Sequence, residues 1–260
     1  MHDFKSKYGP WAIVAGASEG LGAAFAEELA KRGLNLILIA RRLGKLEALS
    51  NRLRNQYQIE IKYHALDLAD FAQTKHFVSG LESNIGLLVY NAAYSPIGYF
   101  ENISEEDLTK IVDVNIKTPL LFSKLVSIQM IEKGKGGIVL MSSLAGSQGS
   151  PKIATYAASK AFNTIFAEGI WSELRKHGID VIASCAGAIT TPGYINAQNT
   201  KDAPGTLNAN KVAEKTLNAL GRRPTIIPGF TNKLARFFMG RLFSRKLAIS
   251  IMDSNTKNLS

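Results

Sequence analysis

Short apolar runs alternate with longer, helix-patterned stretches along most of this chain, and that alternation leaves few folds open. The runs Trp11–Ala15, Leu34–Ala40, Ile59–Ala65, Leu87–Tyr90, Ile138–Met141, Ile179–Ser184 and Thr225–Ile227 read as strands. Residues 20–32, 43–56, 70–83, 104–133, 152–177 and 209–220 read as helices. Strands separated by helices build βαβ units, whose strands lie parallel and are covered on both faces. The expectation is α/β: a single doubly wound domain with a seven-stranded, mainly parallel sheet and helices on both faces. No repeat or Gly/Ser-rich linker divides it, so one domain takes in 1–260, with a core of about 11–229 and a basic C-terminal extension of about 230–260. The polar stretch 193–205 reads as a mobile loop.

Composition narrows the class. Hydrophobic residues make up 46% of 260, enough to bury a full core. No 18-residue apolar run is free of charge, which argues against a spanning helix, and the start lacks a signal-peptide apolar stretch, so a cytoplasmic location is expected. The single Cys185 excludes an internal disulfide and reads as a small core residue in a strand. His2, His64, His76 and His177 share no metal-like spacing, so no metal is expected. The net charge of +10 is uneven: residues 222–260 hold eight bases and one acid, Asp253. That fits a basic tail at a surface better than nucleic-acid binding by the whole protein.

The first strand runs into Gly16-Ala17-Ser18-Glu19-Gly20-Leu21-Gly22, and an Ala-rich helix follows. Glycines let a backbone turn tightly against a pyrophosphate, and a helix N-terminus offers free N–H groups, as in Rossmann dinucleotide-binding units. The spacing is G-x-x-x-G-x-G. The second strand ends in Arg41-Arg42, where an acid would bind the ribose 2′-OH of NAD and an arginine suits a 2′-phosphate. NADP(H) is therefore expected over NAD(H); two solvated arginines opening a helix is the plainer alternative.

Tyr156 and Lys160 stand at i and i+4 on one helix face. A free phenol titrates near ~10, too high for proton shuttling at neutral pH, and a nearby ammonium lowers that value. Ser142-Ser143 closes the fifth strand, 13 residues before Tyr156, Asn91 closes the fourth, and Asn115 sits mid-helix. These positions lie at or beside the carboxyl ends of strands, where doubly wound sheets bind ligands.

With these elements in order, the chain resembles the short-chain dehydrogenase/reductase family, and its ketoacyl-reductase-like members, from about Trp11 to Ile227. The resemblance rests on AGASEGLG (15–22), ARR (40–42), LDL (66–68), NAA (91–93), Asn115, SS (142–143), YAASK (156–160) and AGAITTP (186–192). It implies that Tyr156 is the general acid/base, that Lys160 bonds the nicotinamide ribose and lowers the Tyr156 pKa, that Ser143 orients the carbonyl, and that Asn115 holds a water linking Lys160 to solvent. It further implies a cofactor site of Gly16, Ser18, Glu19, Gly20, Leu21, Gly22, Arg41, Arg42, Asp67, Leu68, Asn91, Gly187, Ile189 and Thr191, beside Tyr156 and Lys160. Asp67 would contact adenine, and Thr191 would hold the carboxamide. Four residues depart from the family pattern. Ala15 replaces a Thr that ties the loop to the fourth strand, Ala93 a Gly, and Ala186 a Pro. Glu19 stands where many NADPH-using relatives carry a base.

The segments flanking the nicotinamide position supply Tyr94, Ile97, Phe100, Leu144, Ile189 and Tyr194, and no Lys or Arg falls within 92–100, 143–150 or 186–200. A small hydrophobic carbonyl or alcohol is thus the expected substrate, with Tyr94, Leu144 and Tyr194 in its pocket, and a homodimer or homotetramer the expected assembly. The tail beyond residue 230 resembles that of membrane-associated members; Leu234, Phe237 and Phe238 oppose Lys233 and Arg236. It reads as an accessory element, either packed on the body or a dimer mate, or in peripheral contact with a membrane. A catalytically silent NADP-binding scaffold of the same fold is the alternative function.

Overall fold

The computed structural model describes residues 4–81, 84–191, 205–257 and 259. Seven strands form one sheet: β1 (Trp11–Ala15), β2 (Asn35–Ala40), β3 (Ile61–Ala65), β4 (Ile85–Tyr90), β5 (Gly136–Ser143), β6 (Ile179–Ala186) and β9 (Thr225–Ile226). Their order is β3-β2-β1-β4-β5-β6-β9, and every neighbouring pair is parallel. A small separate pair, β7 (Ile189–Thr190) and β8 (Leu207–Asn208), brackets the stretch outside the described residues.

Both faces of the central strands are buried, which explains their apolar runs, whereas the edge strand β3 leaves Lys62 and Ala65 exposed. Val14, Leu36 and Leu38 face α2 (Gly20–Lys31), α3 (Leu43–Gln56) and α8 (Ala209–Ala219), packing with Phe25, Leu46 and Val212. Ile13, Ile37 and Leu88 face the other layer, with Phe122 and Met130 of α6 (Thr118–Lys133) and Ala167 of α7 (Ala154–Arg175). Beyond β3 the chain crosses through α4 (Phe71–Ser79) to β4, which pairs with β1. The loops after β1 and β4 therefore diverge, and that divergence opens a crevice.

Three features differ from the sequence expectation. A short helix, α1 (Phe4–Tyr8), precedes the sheet, and Tyr8 donates to Asp180 Oδ2 at 2.6 Å. The stretch read as one helix over 104–133 is instead α5 (Glu105–Val112), a π turn Asp113–Lys117, and α6. Pro119 explains the break: it has no N–H to bond the Asn115 carbonyl four residues back, and Thr118 N–H bonds Asp113 O, five back. The tail folds as α9 (Phe230–Phe237), a π turn Phe238–Leu242, and α10 (Arg245–Thr256).

Candidate active site

The turn after β1 is a cradle that only glycine allows. Gly16 has φ +83°, and a Cβ there would lie 2.7 Å from the Ala92 backbone; one on Gly22 would lie 1.9 Å from Gly16 O. Asn91 Nδ2 donates to Gly16 O at 3.0 Å, and the Asn91 and Ala92 amides both donate to Ala15 O at 2.9 Å. These bonds tie β1 to β4 without the hydroxyl that Ala15 lacks. Helix α2 starts at Gly20, and Glu19 before it provides no side-chain cap. Its first amides are left for an anion.

A cleft of about 370 Å³ runs along this edge. It brings together Gly16, Ser18, Glu19, Gly20, Leu21, Arg41, Arg42, Asp67, Leu68, Asn91 and Thr191, all anticipated from sequence. Gly22 and Gly187 serve close packing instead: Gly187 lies against the Asn232 side chain. Ile189 packs partly against the core. Lys110 and Val114 also line the cleft and were missed, because no local spacing connects α5 and its π turn to the end of β4.

The two arginines play different parts. Arg42 donates to Ser18 Oγ at 2.9 Å and pairs with Glu19 at 2.6 Å, while Lys45 pairs with the other Glu19 oxygen at 2.5 Å. These partners hold the Glu19 carboxyl below its ordinary pKa. Glu19 is thus neutralised by two bases. Arg41 lines the cleft with no ion pair among the described residues, leaving its guanidinium able to meet a phosphate.

On the catalytic side, Ser142 points into the protein, donating to Lys160 O at 2.6 Å, and the Ser143 hydroxyl, which accepts from Ala145 N at 3.2 Å, lies beside Tyr156. Lys160 is 2% exposed; its Nζ donates to Met141 O at 3.0 Å and lies 5.5 Å from the Tyr156 ring centre. Burial pushes the ammonium pKa down to about 8. The same desolvation pushes Tyr156 up, and it is Ser143 that opposes the rise. In the protein as folded, Lys160 Nζ bonds a backbone carbonyl, and the influences on the Tyr156 phenol are burial and Ser143.

Asn115 is fully buried at the π turn. Its Nδ2 donates to Tyr94 O and to Ser159 Oγ, both at 2.9 Å, and its Oδ1 accepts from Tyr94 N at 2.8 Å. Ser159 in turn donates to Tyr156 O at 2.8 Å. Both Nδ2 protons are thereby used, so the side chain locks three segments together.

The substrate side is less as expected. Tyr94 lines the cofactor cleft, its hydroxyl bonded to Asp107 and its ring 5.0 Å from Lys110 Nζ. Leu144 opens the 3₁₀ turn Leu144–Ser147 that follows Ser143. Phe100, 66% exposed, borders a smaller cavity of about 240 Å³ with Tyr99, Lys152 and Thr155. Tyr194 and most of the stretch 193–205 lie outside the described residues. Lys152 is a cation the sequence windows passed over. Its Nζ donates to Lys257 O at 2.8 Å and Leu259 O at 2.9 Å, so it grips the tail. Arg245 donates to Ser147 O at 2.9 Å, and Ile249 faces Gly149. Asn232, 5% exposed, donates to Gly205 O and Pro228 O and fills the space beside Gly187. The tail therefore contacts the segments flanking the catalytic turn.

Residues 10–202 match the model of the short chain dehydrogenase family. The chain is 36% identical over 194 residues to a very-long-chain 3-oxoacyl-CoA reductase of Podospora anserina, covering 71% of this chain and 56% of that one. It is 30% identical over 237 residues to a 7beta-hydroxysteroid dehydrogenase of Clostridium sardiniense, covering 89% and 90%. The human inactive hydroxysteroid dehydrogenase-like protein 1 is 36% identical over 186 residues, covering 69% and 56%. The chain thus spans just over half the length of the fungal and human relatives. Among solved structures, one from a study of 7beta-hydroxysteroid dehydrogenase stereoselectivity superposes with a TM-score of 0.90 at 25% identity, covering 96% of this chain and 99% of that one. A short-chain dehydrogenase of Sphingobium yanoikuyae in complex with NADPH superposes at 0.76 with 27% identity, covering 84% and 87%.

Proposed function

Because the chain belongs to the short-chain dehydrogenase family, we propose that it is an NADP(H)-dependent oxidoreductase acting on a hydrophobic carbonyl or its alcohol, of the carbonyl or 3-oxoacyl reductase type. The observation that carries the reading is the buried Lys160 set beside the half-buried Tyr156 and Ser143 near the end of β5, next to a cradle that any Cβ would fill. The solved relative with NADPH supports the choice of cofactor, as does Arg41, which lines the cleft with no ion pair among the described residues. A nicotinamide bound there supplies the hydride.

The amides opening α2 and the Gly16–Gly22 turn hold the pyrophosphate, Arg41 meets the 2′-phosphate, and Asp67 takes the adenine side. Ser143 orients the substrate oxygen. Tyr156, kept protonated by burial, donates its phenolic proton to that oxygen. Lys160 positions the ribose, and Asn115 fixes the helix that carries Tyr156. Lys152, held by tail carbonyls, does not serve as a clamp for a free carboxylate, which supports an apolar substrate. Exposed Ile128, Ile131 and Ile165 on α6 and α7 support self-association as a homodimer or homotetramer. No described helix is long and apolar enough to cross a membrane.

The inactive human relative supports a second reading, a silent NADP(H)-binding scaffold. One screen separates the two. NADPH oxidation is followed by loss of nicotinamide absorbance with hydrophobic ketones, aldehydes and acyl thioesters, and with small keto acids as controls. Turnover of the hydrophobic set is expected. Tight NADPH binding with no turnover of any carbonyl would favour the scaffold, and preference for the keto acids would overturn the substrate class.

A further inference from the structure

The tail carries an unusual surface. Phe230, Leu234, Phe237, Phe238, Leu242 and Phe243 are all exposed, with Phe230 at 79% and Leu242 at 60%. Six large apolar side chains thus face outward within 14 residues of sequence. Burying each gains ~1.5–3 kcal/mol, so something is expected to cover them. The same stretch is basic: Lys233, Arg236, Arg241, Arg245 and Lys246 accompany them, and no acid appears between Phe230 and Met252.

A second observation points to what covers it. A cavity of about 610 Å³ separates α7 from the tail. Lys233, Arg236 and Arg241 line it from the tail side, and none of the three has an ion pair among the described residues. Across from them are Thr164, Glu168 and Cys185, so one carboxylate faces three cations. Cations around a cavity with no ion pair among the described residues suit a phosphate, and Phe237, which lines it, suits an acyl chain.

We propose that residues 230–249 lie in the plane of an anionic phospholipid bilayer, with one lipid phosphate seated among Lys233, Arg236 and Arg241. In that position the rings enter the headgroup–acyl boundary while the bases stay at phosphate level. A second copy of this chain is the poorer occupant, because placing one tail on another would bring two sets of three cations together against only the two Glu168 carboxylates. The proposal is independent of the catalytic reading, since it concerns binding alone.

The test is co-sedimentation of the full chain with vesicles of phosphatidylcholine alone or with about one-third phosphatidylserine, at low and high salt. Binding to the anionic vesicles only, weakened by salt, is expected. The pair Lys233→Glu and Arg241→Glu should weaken it at least about tenfold. The pair Phe237→Ser and Leu242→Ser should abolish it even at low salt. Thermal unfolding of each variant checks that the fold persists. Three results would overturn the proposal. One is equal or no binding to both vesicle types. Another is stabilisation by inorganic phosphate without vesicle binding, which makes the cavity a soluble-phosphate site. The last is a wild-type oligomer that the serine pair dissociates in light scattering while vesicles fail to bind, which makes the occupant a second copy.

Discussion

Asn115 Nδ2 donates to Ser159 Oγ across 2.9 Å, and Ser159 donates on to Tyr156 O. The π turn created beside Pro119 is thereby fastened to the helix that carries the acid/base phenol. With Tyr94 also held through both backbone groups, Asn115 is the knot between the β4 loop, α5–α6 and α7. Asn115→Ala leaves these buried groups unpaired and should cost about 2–4 kcal/mol of stability. Urea unfolding of wild type and variant measures it. An unchanged midpoint with lost turnover would mean that Asn115 acts at the reacting centre alone.

Lys160 titrates in the folded protein near 8, below an ordinary lysine. The folded state therefore sheds this proton before the unfolded chain does. The buried charge costs stability at neutral pH, and the cost fades as pH rises from about 8 toward ~10. Lys160→Met should accordingly raise stability at pH 7 by about 1–2 kcal/mol, the lost bond to Met141 O offsetting part of the gain, while abolishing turnover. The advantage should shrink with rising pH. A lower unfolding temperature for the variant would show that the ammonium is better satisfied than its burial implies.

Arg41 and Arg42 should separate cleanly in binding. Arg42 is engaged by Glu19 and Ser18, whereas Arg41 in the cleft has no ion pair among the described residues. Arg41→Ala should weaken NADPH binding about tenfold or more and leave NADH nearly untouched, since a charge-assisted phosphate contact contributes ~1.5–3 kcal/mol. Arg42→Ala should do less. Fluorescence titration with both cofactors decides, and equal losses for NADPH and NADH in Arg41→Ala would remove its specificity role.

The tail read from sequence as an accessory element touches the catalytic surroundings through Arg245, Ile249 and the carbonyls gripped by Lys152. No anticipated cofactor residue lies beyond Thr191. A chain ending at Gly229 should therefore keep NADPH affinity and lose about 10- to 100-fold in turnover as the turn 144–147 loosens. Titration calorimetry and steady-state rates measure the two separately. Unchanged turnover would restore the accessory reading, and failure to fold would make the tail part of the core.

Most of the strands were legible because they are local apolar runs, and the Gly16–Gly22 turn because glycine is forced there by contacts a side chain cannot make. What sequence periodicity hid was long-range. Nothing near Lys152 or Lys110 announces their partners, and Tyr8 finds Asp180 across 172 positions. The interruption at 113–117 was masked by continuous helical patterning, although Pro119 in the same stretch is its cause. Tyr94, expected in the substrate pocket, lines the cofactor cleft and turns its hydroxyl to Asp107, a partner that its own sequence neighbours do not announce.

The most direct measurement is the rate of hydrophobic carbonyl reduction by Tyr156→Phe, taken together with its NADPH affinity. Only the transferable proton is removed, because the ring and its packing remain. NADPH affinity should match wild type while the rate falls by about 10²–10⁴-fold or more, the range expected for loss of a positioned general acid. A variant that binds NADPH and still reduces the substrate at a rate near wild type would contradict the assignment of Tyr156 as the proton donor.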